Sequence, residues 1–280
     1  MNNATDPWAE EVRTGERFPF GENWAAFLKH IDEARIQMAE RSLLEMLEID
    51  DLAGKRFLDV GSGSGLFSLA ARRLGAKVVS FDYDRESVGC TAELKRLWRA
   101  NDDLWQIEQG SVLDREFLRK LGTYDIVYSW GVLHHTGAMW QALENVISLV
   151  RPGGQLFISI YNDQGARSRL WLHVKRLYVR TPRSLKWIIL LPSVALLWGP
   201  AVFRKIFSAT LDRSLKSGAP RGMSRWRDAV DWVGGYPFEV AGPEEVQIFC
   251  RALGFSIARS KTCGRRIGCN EFVFTRSEDR

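Results

Sequence analysis

Short apolar runs recur from residue 56 to residue 161, separated by stretches whose apolar positions repeat at helical spacing. Residues 56–60, 77–81, 104–108, 124–129 and 155–161 read as strands. Residues 66–74, 85–100, 114–121 and 139–149 read as helices. Strands alternating with helices predict an α/β domain built on a parallel sheet with right-handed crossovers. Arg151-Pro152-Gly153-Gly154 reads as a turn, with Pro152 ending the helix before it. The pattern resumes late, with a helix over 243–253 and strands over 255–261 and 270–275.

The flanks behave differently. Residues 1–20 show little periodicity, whereas 23–48 carry helical spacing through Trp24, Phe27, Leu28 and Ile31, then Leu43, Leu44 and Leu47. From 163 to 240 the alternation stops, and this segment reads as an insertion. Residues 167–180 suit an amphipathic helix, with Trp171, Val174 and Tyr178 on one stripe and Arg169, Lys175, Arg176 and Arg180 elsewhere. Trp187 to Phe203 then runs 17 residues without a charge, flanked by Arg183, Lys186, Arg204 and Lys205. That length sits at the lower limit of a membrane span, and Pro192 and Pro200 would interrupt one. A buried lid helix and a helix lying against lipid headgroups are the other two readings. The tract 221–238, rich in Gly and aromatics, is expected to form an ordered loop. The expected divisions are an N-terminal helical cover (1–50), a core (51–162), the insertion (163–240) and a closing helix with two strands (241–280).

The candidate chemistry centres on Phe57-Leu58-Asp59-Val60-Gly61-Ser62-Gly63-Ser64-Gly65. Glycines between a strand and a helix permit positive φ and a close approach of backbone to ligand. The pattern is D-x-G-x-G-x-G; Leu66 stands where the dinucleotide fingerprint wants its third glycine, and no Gly-Lys-Ser/Thr follows. The next apolar run ends in Asp82, 82 − 61 = 21 residues past the first glycine. In nucleoside-binding α/β folds an acidic residue at about that distance accepts the ribose hydroxyls.

With these residues in view, the chain resembles the class I S-adenosylmethionine-dependent methyltransferases. FLDVGSGSG is similar to their first motif and VVSFDYD to their ribose-binding second strand. YDIVYSWGVLHH resembles the fourth-strand motif, and LVRPGGQLFISIYN the helix-turn-strand after it. The resemblance covers residues 50–162, with a closing segment at 243–276. It implies a Rossmann-like seven-stranded, mostly parallel sheet with an antiparallel last strand, and S-adenosylmethionine as cofactor. On that reading Asp59 and the backbone of Gly61, Ser62, Gly63 and Gly65 hold the amino-acid end by charge and N–H donors. Asp82 takes the ribose and Tyr83 lies against the adenine. The family's acidic residue after the third strand is missing, because Gly110 is followed by Ser111; Ser111 or the Val112 backbone takes over that contact. Ser129 and Trp130 stand where donor and acceptor meet, and His134 and His135 are the candidate general bases. Tyr161, Asn162 and Tyr236 are candidate acceptor contacts by position.

The net charge of +5 is unevenly spread. Residues 163–227 hold 14 Lys/Arg against Asp163 and Asp212, a balance of +12, which leaves −7 for the rest. A basic segment on an acidic body suits an anionic surface or substrate. The expected reaction is methylation, chiefly O-methylation, of a small-molecule or lipid-like acceptor, with membrane contact through 167–207. The alternatives are an RNA or protein methyltransferase using the basic insertion, a catalytically silent nucleoside-binding scaffold, and a nicotinamide-dependent oxidoreductase. Cys90, Cys250, Cys263 and Cys269 form no C-x-x-C pair, so no metal site or disulfide framework is expected. No basic-then-apolar leader opens the chain, and a cytoplasmic protein, peripheral at the inner membrane surface, is expected.

Overall fold

The computed structural model describes residues 7–207, 225–264 and 266–278. The chain divides into two compact units, residues 20–168 with 238–280, and residues 1–19 with 169–237.

The larger unit is a seven-stranded sheet in the order β3-β2-β1-β4-β5-β7-β6. Its strands are β1 (Arg56–Val60), β2 (Lys77–Asp82), β3 (Trp105–Gln109), β4 (Tyr124–Trp130), β5 (Val150–Tyr161), β6 (Phe255–Lys261) and β7 (Cys269–Arg276). β1 to β5 pair in parallel, and β7 runs antiparallel to both β5 and β6. The helices of this unit are α2 (Gly21–Leu28), α3 (Glu33–Leu47), α4 (Leu66–Arg73), α5 (Arg85–Arg99), α6 (Arg115–Leu121), α7 (Met139–Ser148) and α11 (Pro243–Ala252). Strand alternation sorts the side chains of β1. Leu58 and Val60 join a core with Leu118 of α6, Leu143 and Val146 of α7 and Val246 of α11. Phe57 and Asp59 face the other way, where Phe57 stacks on Tyr128 and Tyr128 on Phe67 of α4. The order reverses between β1 and β4, and at such a switch point open α/β sheets bind ligands.

Three features refine or depart from the sequence pattern here. Residues 7–13 form a helix, α1 (Pro7–Arg13), which buries no side chain and so left no apolar stripe to read. The helical spacing over 23–48 resolves into two helices, α2 and α3. Asp32 breaks it by accepting the Arg35 N–H at 2.9 Å as the cap of α3. Arg151–Gly154 is not a turn between helix and strand: α7 has already ended at Ser148, and β5 begins at Val150. Pairing passes from Tyr124↔Val150 to Ile126↔Gln155, so five residues of β5 advance against two of β4. Pro152 cannot donate to the ladder and Gly153 takes φ +69, so the tetrapeptide forms a bulge inside the strand.

The smaller unit holds α1, most of α8 (Ala166–Arg180), α9 (Trp187–Phe207) and α10 (Arg225–Gly234). Trp171 and Tyr178 are buried as the stripe predicted, but Lys175 is buried with them. Its Nζ donates to the Trp232 carbonyl and lies 4.5 Å from the centre of that indole. The hydrogen bond and the aromatic face compensate its desolvation. Neither Pro192 nor Pro200 interrupts α9. Each frees the carbonyl four residues back, and Ile188 and Leu196 stand on the exposed side where water reaches them. No helix among the described residues is long and apolar enough to cross a membrane. The tract expected as a loop is largely α10, held by Trp232 against Trp171 at 5.9 Å; residues 221–224 lie outside the described residues.

Candidate functional site

The glycine turn sits between β1 and α4, with positive φ at Gly61 (+76), Gly63 (+54) and Gly65 (+78). Each glycine also makes room for a neighbour. A Cβ on Gly61 would lie 2.4 Å from a methyl of Val132 in the loop after β4, and one on Gly63 3.0 Å from the Trp24 indole. At Gly65 the neighbour is Thr91 of α5, also at 3.0 Å. The three glycines therefore draw the β4 loop, α2 and α5 together around one turn.

The amides of the turn are spent on the protein, which corrects their assignment as ligand donors. Gly61 and Ser62 donate to the Phe81 carbonyl, and Gly65 donates to Ser62. The Gly63 N–H donates to Asp82 Oδ2 at 2.9 Å. Ser62 Oγ meets Thr91 Oγ1 at 2.9 Å. These bonds give the turn its shape, and a ligand would meet its surface.

Asp82 closes β2 beside that turn and is half-buried. Its Oδ1 accepts the Asp84 N–H at 2.9 Å while Oδ2 takes Gly63. The Tyr83 N–H also bonds this carboxylate; an ionised carboxylate offers about four acceptor positions, so capacity remains for a ribose hydroxyl. Desolvation pushes its pKa up to about 6, against the lowering effect of the Gly63 and Asp84 N–H groups. Asp84 Oδ2 accepts Gly21 N–H at 2.7 Å and Oδ1 caps α5 through Glu86 N–H, tying α2 to the helix after β2. Trp24, on the expected N-terminal helical cover and not among the expected site residues, thereby lies over Gly63.

Asp59 has a different part. It is 2% exposed, and its Oδ2 accepts Ser68 Oγ–H at 2.5 Å. Ser68 Oγ lies 2.7 Å from Ser80 Oγ, and Ser80 accepts the Trp105 Nε1–H at 2.8 Å. Ser68 gives its one proton to Asp59 and so accepts from Ser80, while the indole can only donate, and the chain runs from Trp105 through Ser80 and Ser68 to Asp59. Burial pushes Asp59 up to about 7, opposed by the Ser68 bond and reinforced by repulsion from Asp82. The expectation that Asp59 holds a ligand by its charge is corrected: its described bond runs to the sheet interior.

Other expected contacts divide in the same way. Tyr83 and Trp130 keep partial exposure at the carboxyl ends of β2 and β4. Ser129 is fully buried with its hydroxyl on the Val60 carbonyl, so it ties β4 to β1 and offers no side chain to a ligand. Ser111 Oγ accepts the Leu113 N–H within the loop, and the Val112 carbonyl accepts Asn145 Nδ2 from α7. Asn162 is buried between the Gly264 carbonyl and Asn270, which removes it as an acceptor contact. Tyr236 belongs to the other compact unit, where its carbonyl accepts Phe18 N–H. His134 has no accessible surface, its Nδ1 accepts the Tyr161 N–H at 3.3 Å, and its ring packs 3.9 Å from that of Tyr161. It is a packing residue, not a general base. His135 keeps 8% exposure, with Phe20 at 4.9 Å and Tyr161 at 5.4 Å between ring centres.

A parallel sheet of this order, with a glycine turn after β1 and a carboxylate ending β2 at the switch point, has the fold of the class I S-adenosylmethionine-dependent methyltransferases. The chain belongs to the methyltransferase domain family, whose model matches residues 29–190, more than half of its length. It is 35% identical over 118 residues to the ubiquinone biosynthesis O-methyltransferase of Burkholderia multivorans, which is 40% of this chain and 46% of that protein. The match to the protein of that name from Burkholderia vietnamiensis is 33% over the same length. The chain thus spans about half the length of the relatives it matches. In fold it resembles magnesium protoporphyrin IX methyltransferase from Synechocystis, solved with bound SAH, at TM-score 0.52 and 17% identity over 86% of this chain and 83% of that one. An O-methyltransferase family protein from Burkholderia thailandensis gives 0.54 at 14% identity over 98% and 68%.

Proposed function

We propose that this protein binds S-adenosylmethionine at the β1/β4 switch point and methylates an oxygen of a small-molecule or lipid-like acceptor. The observation that carries the reading is the Asp82 carboxylate, half-buried beside the glycine turn with acceptor capacity left for a ribose hydroxyl. The O-methyltransferase relatives support oxygen as the nucleophile. When bound, the cofactor supplies an electrophilic methyl group on a sulfonium.

The residues of this chain bind, orient and exclude water. Asp82 accepts a ribose hydroxyl, and Tyr83 flanks the adenine. Trp24 covers the turn, and Trp130 presents an aromatic face that favours a cation. Holding nucleophile and methyl in line lowers the barrier without a dedicated catalytic group. A hydroxyl acceptor must also lose its proton, and of the histidine pair His135 is the one with accessible surface to receive it.

Cofactor affinity should depend on pH through Asp82. Its pKa, raised to about 6, leaves it ionised above pH 7 and mostly protonated at pH 5. A protonated carboxyl loses acceptor capacity, so affinity for S-adenosylhomocysteine is flat above pH 7 and falls about tenfold between pH 7 and pH 5. Calorimetric titration across that range checks it; constant affinity down to pH 5 would mean that Asp82 keeps its charge there or takes no part in binding.

The acceptor class is tested with methyl-labelled S-adenosylmethionine and separate lipid, RNA and protein fractions. Label in the solvent-extractable fraction supports the proposal. Label confined to RNA or protein overturns it.

A further inference from the structure

We propose that the segment spanning α8 and α9 docks on an anionic lipid bilayer, with α9 lying in the interface and not crossing it. This inference stands apart from the methyl-transfer reading, since it concerns the smaller compact unit alone.

Helix α9 has its polarity reversed. Its outward positions are Trp187, Ile188, Leu191, Pro192, Ala195 and Leu196, recurring every fourth residue. Four of them are large and open to solvent: Trp187 57%, Ile188 52%, Leu191 52% and Leu196 60%. The packed side carries Leu190, Val194 and the polar Ser193. The solvent face is thus wholly apolar over these turns, while the one hydroxyl points inward. A contiguous exposed apolar stripe of this kind marks a surface that something covers.

The charges choose the occupant. Residues 164–211 contain nine Lys/Arg and no Asp or Glu. On α8 the exposed positions include Arg169, Arg176 and Arg180, with Leu170 at 53% and Leu177 at 59% among them. Arg180 and Arg183 precede Trp187 by seven and four residues, which sets cations at the head of the apolar stripe. Two copies meeting on this face would bring like charges together, which disfavours self-association. A nucleic acid would answer the cations and leave the stripe wet. An anionic bilayer answers both, taking the stripe into the headgroup boundary and the arginines onto its phosphates. Trp187, at the end nearest the arginines, is the residue type that favours that boundary. With no described helix able to cross a membrane, the contact is peripheral.

The test is flotation of the full-length protein with vesicles of phosphatidylcholine alone or mixed with phosphatidylglycerol. The wild type should float with the anionic vesicles at low salt, release as salt rises and ignore the neutral ones. Ile188→Glu/Leu191→Glu should abolish flotation. Arg176→Gln/Arg180→Gln should lower the partition about thirtyfold, near fivefold for each charge. Far-ultraviolet circular dichroism and sedimentation establish that each variant is folded and in its native oligomeric state. Absence of wild-type flotation at low salt, or equal flotation of both variants, overturns the proposal. So does a wild-type dimer that the glutamate variant splits without any vesicle binding, since a second copy would then cover the stripe.

Discussion

Asp82→Asn should lower affinity for S-adenosylhomocysteine by at least about tenfold. Hydrogen bonds to a charged group contribute about 1.5–3 kcal/mol each. A ribose hydroxyl on this carboxylate therefore amounts to about 1.5–3 kcal/mol, and about 1.4 kcal/mol is tenfold. Asparagine keeps the shape and one acceptor oxygen, but Gly63 and Asp84 N–H groups already claim an oxygen each in the wild type. The variant must divide a single oxygen between the turn and the ligand. Calorimetry reads the loss directly, and circular dichroism checks that the variant is folded. A folded variant weakened less than fivefold would mean that the ribose is held elsewhere.

The second large effect is on stability. Gly61→Ala should cost about 3 kcal/mol, from two sources. A β-carbon at φ +76 carries about 1–2 kcal/mol of backbone strain. The same atom would sit 2.4 and 2.5 Å from the two methyls of Val132, adding an overpacking cost of about 1–3 kcal/mol. Gly54 separates the two, because its φ is +74 and nothing lies within 4 Å of its would-be Cβ. Gly54→Ala reports the backbone cost alone. Urea denaturation should rank Gly61→Ala clearly below Gly54→Ala, with Val132→Ala relieving the difference. Equal stability of the two alanine variants would mean that the β4 loop gives way freely and does not fix the turn.

These expectations rest on features of unequal visibility in the sequence. The sheet was legible because strands β1, β2, β4 and β5 are dense in buried apolar residues and bounded by Gly, Asp or Pro. Asp82 was legible because an acidic residue ending the second strand has one common use in such folds. What the turn amides do was not legible. Their acceptors, the Phe81 carbonyl and Asp82, lie about twenty residues away and come together only when β1 pairs with β2. The chain from Trp105 to Asp59 hid for the same reason, since Ser68 and Ser80 look like any isolated serine. Trp24 has the spacing of a core residue, and only the gap left by Gly63 distinguishes it. Lys175 misled in the opposite sense. Charge assigned it to the wet side of α8, while the Trp232 carbonyl and ring gave it a buried place. The histidine pair attracted a catalytic reading by residue type, and burial removed His134 from it.

The most direct measurement is calorimetric titration of the wild-type protein with S-adenosylmethionine and, separately, with a nicotinamide dinucleotide. Saturable binding of S-adenosylmethionine at one site per chain, with none of the dinucleotide, is the predicted result. Binding of the dinucleotide, or of neither ligand, would contradict the account and leave the glycine turn as a packing device between β1, α2, α5 and the β4 loop.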